Sequence, residues 1–285
     1  MERIASHRQF FASLITATAG VPKGDGRLFD AFATTPRERF AGPGPWKIFT
    51  AAGFIETPTD DPAMLYQDVV VALAPERKIN NGQPVLHALC LAALKVKEGE
   101  RIVHVGAGTG YYTAILAQLT GPTGSVTAYE IEEDLAARAS KNLADLPFVH
   151  VESRSGAEGT LPECDVIYVS AGATAPLDVW LNALRVNGRL LLPLTPSDGP
   201  GGTPGLGGML LITRRDTDRF EARFLSQAMF ISCVGARDEE TAAKLSVAFR
   251  RGDFRNVKSL RRHSVADETC WCEGNGWWLS TIEAK

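Results

Sequence analysis

The sequence predicts an α/β protein with a doubly wound, Rossmann-like mixed sheet and helices on both faces, together with a helical N-terminal segment and a C-terminal extension. Three observations predict this class. Short β-rich runs alternate with helical stretches in the middle of the chain, a glycine-rich turn follows the first of these strands directly, and the last two strands are joined without a helix. With 285 residues, 45% of them apolar, the chain can bury a substantial core without disulfide or metal staples.

The elements follow from hydrophobic period and from turn residues. Strands are predicted at Arg101–Val105, Ser125–Tyr129, Phe148–Val151, Asp165–Ser170, Arg189–Leu194 and Met209–Arg214. Helices are predicted at Thr113–Leu119, Glu132–Leu146 and Pro176–Leu184. Strands joined through helices and short loops are expected to be parallel.

The last two predicted strands are joined differently. The glycine-rich segment 198–208 between them is too short for a helix, which predicts an antiparallel pair and therefore a mixed sheet. This segment lacks the Lys-Ser/Thr of a phosphate-binding loop and no helix follows it, so we interpret it as a mobile hairpin loop.

Three parts are predicted along the chain. Residues 1–95 form an N-terminal helical segment that packs on the next part and contains a helix at Gln83–Leu94. Residues 96–235 form the Rossmann-like domain. Residues 236–285 form an extension with a helix at Glu239–Arg250 and a hairpin that turns at Gly274-Asn275-Gly276, whose tryptophans are expected in the core.

Composition excludes several classes of protein. The chain has 30 Lys and Arg against 33 Asp and Glu, so no basic excess points to nucleic acid. No apolar run reaches the roughly 18 to 20 residues of a membrane span. The apolar stretch Phe10–Ile15 is too short for a signal peptide and predicts an amphipathic first helix instead.

Five scattered cysteines, an odd number, indicate a reducing compartment, and we expect the protein to be cytoplasmic. The paired cysteines of Cys270-Trp271-Cys272 could form half of a metal site, but no second Cys/His pair with ligand spacing accompanies them. In a strand the two cysteines would share a face, so core packing is preferred and no metal is predicted.

The most informative motif runs from a strand through glycines into a helix, with Gly106, Gly108 and Gly110 spaced as G-x-G-x-G. A dinucleotide fingerprint requires a third glycine at position 111, where this chain has Tyr111. The spacing is instead similar to the first motif of S-adenosylmethionine-dependent methyltransferases. Glu130 ends the next strand about twenty residues later, where an acid can accept both ribose hydroxyls. The other reading of that acid, a helix N-terminal carboxylate, is better satisfied by Glu132 and Glu133.

Several segments together resemble the protein-L-isoaspartate O-methyltransferase family, in that family's order over roughly residues 30–235. Thr35–Phe40 is similar to its "vPRerF" segment, Leu65–Asp68 to its "aYxD" segment and Gln83–Ala88 to its proline-led helix start. His104–Ala114 resembles its cofactor loop, and Asn187–Leu190 with Pro193 resembles its "GGrL…P" strand.

The resemblance implies S-adenosyl-L-methionine as cofactor and a set of residues that contact it. Glu130 would hold the ribose, with Ile131 beside it as a further cofactor-binding candidate, and Ser155-Gly156 stands where the family usually has Asp-Gly beside the adenine. His87 falls where the family has a histidine near the cofactor; a buried helix histidine is the other reading. The remaining cofactor-binding candidates are Gly82, Gly106, Ala107, Gly108, Thr109, Gly110 and Tyr111.

The chain departs from the family at the head of the upstream helix. Where the family has Thr-Ile-Ser, with the serine assigned to the active site, this chain has Asn80-Asn81-Gly82. Asn80, Asn81 and Gln83 are therefore our catalytic candidates, because their amide N–H groups can orient a carboxylate. No metal ligand is implied.

The expected activity is methyl transfer to the carboxylate of an isoaspartyl or aspartyl side chain in a protein or peptide. Such an acceptor is ionised at neutral pH, with a pKa of about 4, so alignment and a dry pocket suffice and no general base is needed. Alternatives are a non-catalytic cofactor-binding homologue, or a methyltransferase for another small-molecule or natural-product peptide acceptor. Nicotinamide-dependent oxidation is disfavoured by Tyr111. The partner is expected to be an acidic peptide or protein, not nucleic acid or membrane, and the sequence leaves the oligomeric state open.

Overall fold

The computed structural model describes residues 2–22, 26–50, 52–197 and 205–284, in which eight α-helices and fourteen β-strands are found. The helices are α1 (Glu2–Thr18), α2 (Gly26–Thr34), α3 (Arg37–Ala41), α4 (Pro84–Leu94), α5 (Tyr111–Thr120), α6 (Glu133–Asn142), α7 (Asp178–Ala183) and α8 (Glu239–Arg251). The strands are β1 (Lys47–Thr50), β2 (Gly53–Glu56), β3 (Ala72–Ala74), β4 (Ile79–Asn80), β5 (Arg101–Val105), β6 (Ser125–Glu130), β7 (Val149–Ser153), β8 (Cys164–Val169), β9 (Leu184–Leu194), β10 (Gly207–Arg214), β11 (Phe220–Ala228), β12 (Ser259–Arg262), β13 (Cys270–Gly274) and β14 (Trp277–Ser280).

The chain divides into two compact units. The first comprises Met1–Glu100 and Ala107–Arg154, and the second comprises Arg101–Gly106 and Ser155–Lys285. The three-part division drawn from the sequence stays a prediction. Among the described residues, no helix has both the length and the apolar character needed to cross a bilayer.

The second unit carries a mixed sheet in the order β13-β14-β12-β11-β10-β9-β8-β5. Strands β5, β8 and β9 are parallel, and β9 pairs with β10 antiparallel, so the predicted mixed sheet is confirmed. Residues 198–204, most of the predicted mobile loop, lie outside the described residues. Gly207 and Gly208 were predicted in that loop but belong to β10, and a Cβ on Gly207 would lie 2.7 Å from Cα of Thr195. The close approach of the strands therefore requires glycine there.

Two strands of the second unit were missed from the sequence. In β11 the buried residues alternate with exposed ones, and β12 pairs with both β11 and β14. The predicted terminal hairpin is confirmed as β13 and β14, and its tryptophans are buried. A bulge between Cys270 and Cys272 corrects the expectation that these two cysteines share a face, since only Cys272 is buried.

The first unit is mostly helical at its N-terminus, as predicted, but it also contains the two short hairpins β1–β2 and β3–β4. Helix α1 is amphipathic, with Phe11 and Ile15 buried and Phe10 exposed. Ring contacts of Phe11 with Phe32 and Tyr66 join α1 to α2 and to the segment before β3.

Strands β6 and β7 of the first unit are parallel, as predicted, and α6 follows β6 with an apolar stripe facing inward. Helix α6 ends at Asn142, earlier than the predicted Leu146. The cause is local: Leu143 leaves the helical conformation, and the chain turns so that Leu146 N donates to Leu143 O at 2.9 Å. Helix α5 begins at Tyr111, directly after Gly110, which caps it in the left-handed region.

Candidate functional site

The glycine loop between β5 and α5 requires glycine at three positions. Gly106, Gly108 and Gly110 have φ of 78°, 56° and 95°, where other residues are strained. A Cβ on Gly108 would lie 3.1 Å from Cδ1 of Leu73, and one on Gly110 would lie 2.8 Å from Cδ1 of Leu143. Both the backbone conformation and the packing of Leu73 and Leu143 therefore require glycine in this loop.

Glu130 ends β6 beside this loop. Its carboxylate is buried, with the residue 6% exposed, and accepts hydrogen bonds from Gly108 N at 2.6 Å and from Glu132 N at 3.0 Å. Burial raises the pKa of the Glu130 carboxyl, and the hydrogen bonds from these backbone N–H groups act against that rise.

The acid has acceptor capacity left for a ligand. A carboxylate offers about four lone-pair directions, so the backbone bonds from Gly108, Glu132 and Ile131 still leave acceptor capacity for a ribose hydroxyl. The neighbouring Ile131 is 43% exposed and offers an apolar surface for a base. The residues present at this end of β6 therefore suit a nucleoside.

The rest of the loop is held by hydrogen bonds to β6 and α6. Ala107 N donates to Tyr129 O at 3.1 Å, and Thr109 O accepts from Nδ2 of Asn142 at 3.0 Å. The side chain of Tyr111 is not placed to contact a ligand. The ring is buried against Phe32 and Phe40, so only its backbone faces the loop.

The head of α4 depends on two residues far from it in sequence. Helix α4 begins with Pro84 and has no side-chain cap of its own, so its first N–H groups need an outside acceptor. Asp68 supplies it: Oδ1 accepts from Val85 N at 2.8 Å, and Oδ2 accepts from Nε2 of Gln83 at 2.8 Å.

Asp68 is itself held by the buried Arg37. The Arg37 guanidinium donates to the carbonyl oxygens of Leu65, of Gln67 at 2.9 Å and of Val69 at 3.1 Å, which bracket the acid. It also lies over the ring of Phe11, at 5.2 Å from the centroid. The two family-like segments at 35–40 and 65–68 thus meet to place one carboxylate.

The amide candidates precede α4 and are partly engaged. Oδ1 of Asn80 accepts from Gly82 N at 2.9 Å, and Oδ1 of Asn81 accepts from Val71 N at 2.8 Å. Asn81 N also donates to Val71 O at 2.9 Å, which fixes this segment to β3. In the described part of the chain these side-chain bonds use the amide oxygens, so the NH₂ groups remain as donors.

A side chain at position 82 would overlap the imidazole of His87. Gly82 has φ of 71°, and a Cβ there would overlap Nε2 of His87 and lie 2.9 Å from its Cδ2. The imidazole is buried and stacks on the ring of Tyr112, with centroids 3.6 Å apart and planes 5° apart. Because Tyr112 lies in the first turn of α5, this stack sets the head of α4 beside the end of the glycine loop.

Ser155, Gly156 and the buried His104 belong to the second unit. Oγ of Ser155 accepts from Ala157 N at 3.1 Å, and Gly156 O accepts from Nε1 of Trp180 at 2.8 Å. His104, in β5, is buried with Nε2 3.0 Å from Oγ of Ser170. Burial lowers the pKa of His104 to about 3, so the imidazole is neutral at physiological pH.

Two residues of the site were given no role from the sequence. Asp68 was quoted only within the segment 65–68, although a proline-led helix without a cap needs an external acceptor. Leu73 carried no signal, since its contact with Gly108 depends on how β3–β4 packs. Among the described residues no group of three or more His, Cys, Asp or Glu side chains is placed to hold a metal ion.

Comparison with known proteins shows the family of this chain. A model of the protein-L-isoaspartate(D-aspartate) O-methyltransferase family matches residues 18–238. A Marinobacter nauticus protein-L-isoaspartate O-methyltransferase 2 is 33% identical over 224 residues, covering 75% of this chain and 89% of that protein. A Brucella anthropi protein-L-isoaspartate O-methyltransferase is 31% identical over 219 residues, covering 74% and 87%.

Solved structures agree on the fold. A protein-L-isoaspartate O-methyltransferase superposes with a TM-score of 0.63 at 20% identity, covering 92% of this chain and 74% of that one. One from Plasmodium falciparum, in complex with S-adenosyl-L-homocysteine, gives 0.61 at 18% identity, covering 80% and 98%. The predicted Rossmann-like class is confirmed, and the chain belongs to the protein-L-isoaspartate O-methyltransferase family of S-adenosylmethionine-dependent methyltransferases.

Proposed function

We propose that this protein methylates the carboxylate of an isoaspartyl or aspartyl side chain in a peptide or protein. One observation carries the proposal: the His87–Tyr112 stack sets the head of α4, which directly follows the amide side chains of residues 80, 81 and 83, beside the end of the glycine loop. A methyl donor on the loop and a carboxylate at the amides would then be neighbours.

The loop and the acid after it would hold the cofactor. Gly106 to Gly110 would present backbone to the methionine part, Glu130 would accept hydrogen bonds from the ribose hydroxyls, and the exposed Ile131 would offer an apolar surface to the base. When bound, S-adenosylmethionine supplies a sulfonium methyl group, whose transfer to a carboxylate oxygen leaves S-adenosylhomocysteine and a methyl ester.

The amides would hold the acceptor. Nδ2 of Asn80 and of Asn81 can each donate to a carboxylate oxygen, and Asp68 fixes Gln83 next to them. Neutral donors suit this reaction, because a Lys or Arg clamp would stabilise the reacting anion more than the transition state. No general base is required, since the acceptor carboxyl has an unperturbed pKa of about 4.

Gly82 bears on the choice of acceptor. The serine that the family has at this position is absent, and His87 fills the volume that its side chain would take. We infer that the acceptor differs in detail from a general isoaspartyl site, and a particular peptide, such as a maturing ribosomal natural product, is the variant of the proposal that Gly82 favours.

The test is incubation with labelled S-adenosylmethionine and matched peptides that carry isoaspartate, aspartate or asparagine at one position. We expect base-labile methyl ester on an acidic peptide and none on the asparagine peptide. Asn80→Ala with Asn81→Ala should reduce transfer while leaving cofactor binding intact. The proposal is wrong if no acidic peptide in a broad panel gains ester.

Gly82 also motivates a second candidate, a non-catalytic homologue that binds the cofactor without turnover. Calorimetric titration separates the two. Micromolar cofactor binding without ester on any acidic peptide would favour the binding protein, whereas ester on any of them would exclude it.

A further inference from the structure

The β3–β4 hairpin, residues 72–80, lies against the glycine loop. Cδ1 of Leu73 is the atom that a Cβ on Gly108 would meet, at 3.1 Å. Nη1 of Arg138 donates to Leu73 O at 3.5 Å, and its Nη2 donates to Ala41 O at 3.3 Å. Through Arg138, helix α6 thus holds the first strand of the hairpin against the glycine loop.

The tip of the same hairpin is fixed by Arg77. Its guanidinium makes a bidentate pair with Asp134, Nη1 to Oδ1 at 2.8 Å and Nη2 to Oδ2 at 2.7 Å, and Nη1 also donates to Glu132. The bond from Arg77 lowers the pKa of the Asp134 carboxyl. Glu132 and Asp134, two acids between the end of β6 and the first turn of α6, are therefore held by one cation from the hairpin.

These contacts connect the hairpin, the glycine loop and Glu130 around the proposed nucleoside site. Glu132 N donates to Oε1 of Glu130 and Gly108 N donates to Oε2, while the side chain of Leu73 packs on Gly108. Arg77 links the side chain of Glu132 back to the hairpin that carries Leu73. Without Arg77, the charge of Glu132 would act uncompensated on Glu130, whose ionisation it already opposes.

We propose that Arg77 is a positioning residue for the cofactor, and that its bond to Asp134 and Glu132 latches the β3–β4 hairpin over the glycine loop. The latch keeps Leu73 on Gly108 and keeps the Glu130 carboxylate oriented toward a ribose. The proposal rests on cofactor binding by the loop and is independent of which acceptor is methylated.

The exposure of the latch separates this role from a purely structural one. The side chains of Arg77, Glu132 and Asp134 are 34%, 33% and 56% exposed, and ion pairs at such exposure contribute little to stability. They are also screened by salt. A change at Arg77 should therefore alter cofactor affinity and its salt dependence, and leave the unfolding midpoint nearly unchanged.

The experiment compares Arg77→Gln and Arg77→Lys with the parent by titrating S-adenosylmethionine and S-adenosylhomocysteine calorimetrically at low and high ionic strength. Arg39→Gln is the matched control, because Arg39 and Asp145 form a bidentate pair of the same kind at 3.1 and 2.8 Å in the same unit, and neither residue belongs to the glycine loop, the β3–β4 hairpin or the segment 130–134. We expect Arg77→Gln to weaken binding by about three- to tenfold, the lysine variant by less, and the control not at all.

Salt should weaken cofactor binding by the parent and have little further effect on Arg77→Gln. With a methylated acceptor in hand, the cofactor KM should rise while the acceptor KM stays constant. Should Arg77→Gln fold poorly, Asp134→Asn breaks the same latch and should show the same loss.

Equal affinities for the parent and Arg77→Gln, or equal losses for Arg77→Gln and Arg39→Gln, would overturn the proposal. Failure of the parent to bind either ligand would overturn it as well. Absence of methyl transfer with intact binding counts against the proposed acceptor alone, and the binding comparison then still decides the role of Arg77.

Discussion

Replacing Gly82 with alanine tests the arrangement at the head of α4 most directly. The change asks a residue with a Cβ to adopt φ of 71°, and it drives that Cβ into the imidazole of His87, 2.9 Å from Cδ2. The ring has little freedom to retreat, because it is buried and stacked on Tyr112 at 3.6 Å.

Two terms set the magnitude. The left-handed backbone costs about 1–2 kcal/mol for a residue other than glycine. Forcing an extra carbon into a packed site costs about 1–3 kcal/mol more. We therefore expect Gly82→Ala to lower the free energy of unfolding by about 2–5 kcal/mol.

Urea denaturation of two variants isolates the second term. Gly20 has a similar φ of 69° and nothing within 4 Å of its Cβ position, so Gly20→Ala reports the backbone term alone. Gly82→Ala should cost clearly more than this control, and adding His87→Ala should remove most of the difference. If the two alanine variants were equally stable, the overlap would not constrain the protein and the argument from His87 would be refuted.

The same geometry predicts the outcome of restoring the family's serine. Gly82→Ser carries the same Cβ, so it should displace His87 and reduce methyl transfer instead of increasing it. A serine variant that is both stable and more active on isoaspartyl peptides would contradict this expectation.

Three further predictions concern single side chains. Burial raises the pKa of Glu130, so the stability that its protonated form contributes is present at acidic pH and is lost as pH rises through that raised pKa. At neutral pH Glu130→Gln should be at least as stable as the parent by denaturation, while calorimetry shows cofactor binding weaker by about 1–3 kcal/mol. Asp68→Ala should lose a helix cap, costing about 0.5–2 kcal/mol, and raise the acceptor KM without changing cofactor affinity. His104 has a folded pKa of about 3, so its stability contribution is lost as pH falls below about 6.5, at up to about 1.4 kcal/mol per pH unit, and His104→Gln should flatten that slope in denaturation series.

Each of these predictions has a result that contradicts it. Unchanged cofactor affinity in Glu130→Gln would exclude the acid from the ribose site. Equal stability of Asp68→Ala and Asp68→Asn would mean that the cap at Val85 N contributes nothing. An acid slope that survives in His104→Gln would have to arise from another group.

The local parts of the fold and site were predictable because they rest on short-range chemistry. The strands at 101–105 and 125–130 followed from their apolar runs, and the loop at Gly106 to Gly110 from the need for positive φ between a strand and a helix. Glu130 followed from its place at the end of the next parallel strand. Strand β11 was missed although its alternation of buried and exposed residues is regular, so that signal was present in the sequence.

The sequence by itself determined the class of the fold, the glycine loop and the acid at the end of the next strand, because each follows from residue type and from the order of strands and helices along the chain. Only the tertiary structure decided how Asp68 caps α4, why position 82 has no room for a side chain, and that Arg77 reaches Asp134. Those pairs are separated by 5 to 57 residues and depend on how hairpins and helices pack, which neither hydrophobic period nor residue type encodes.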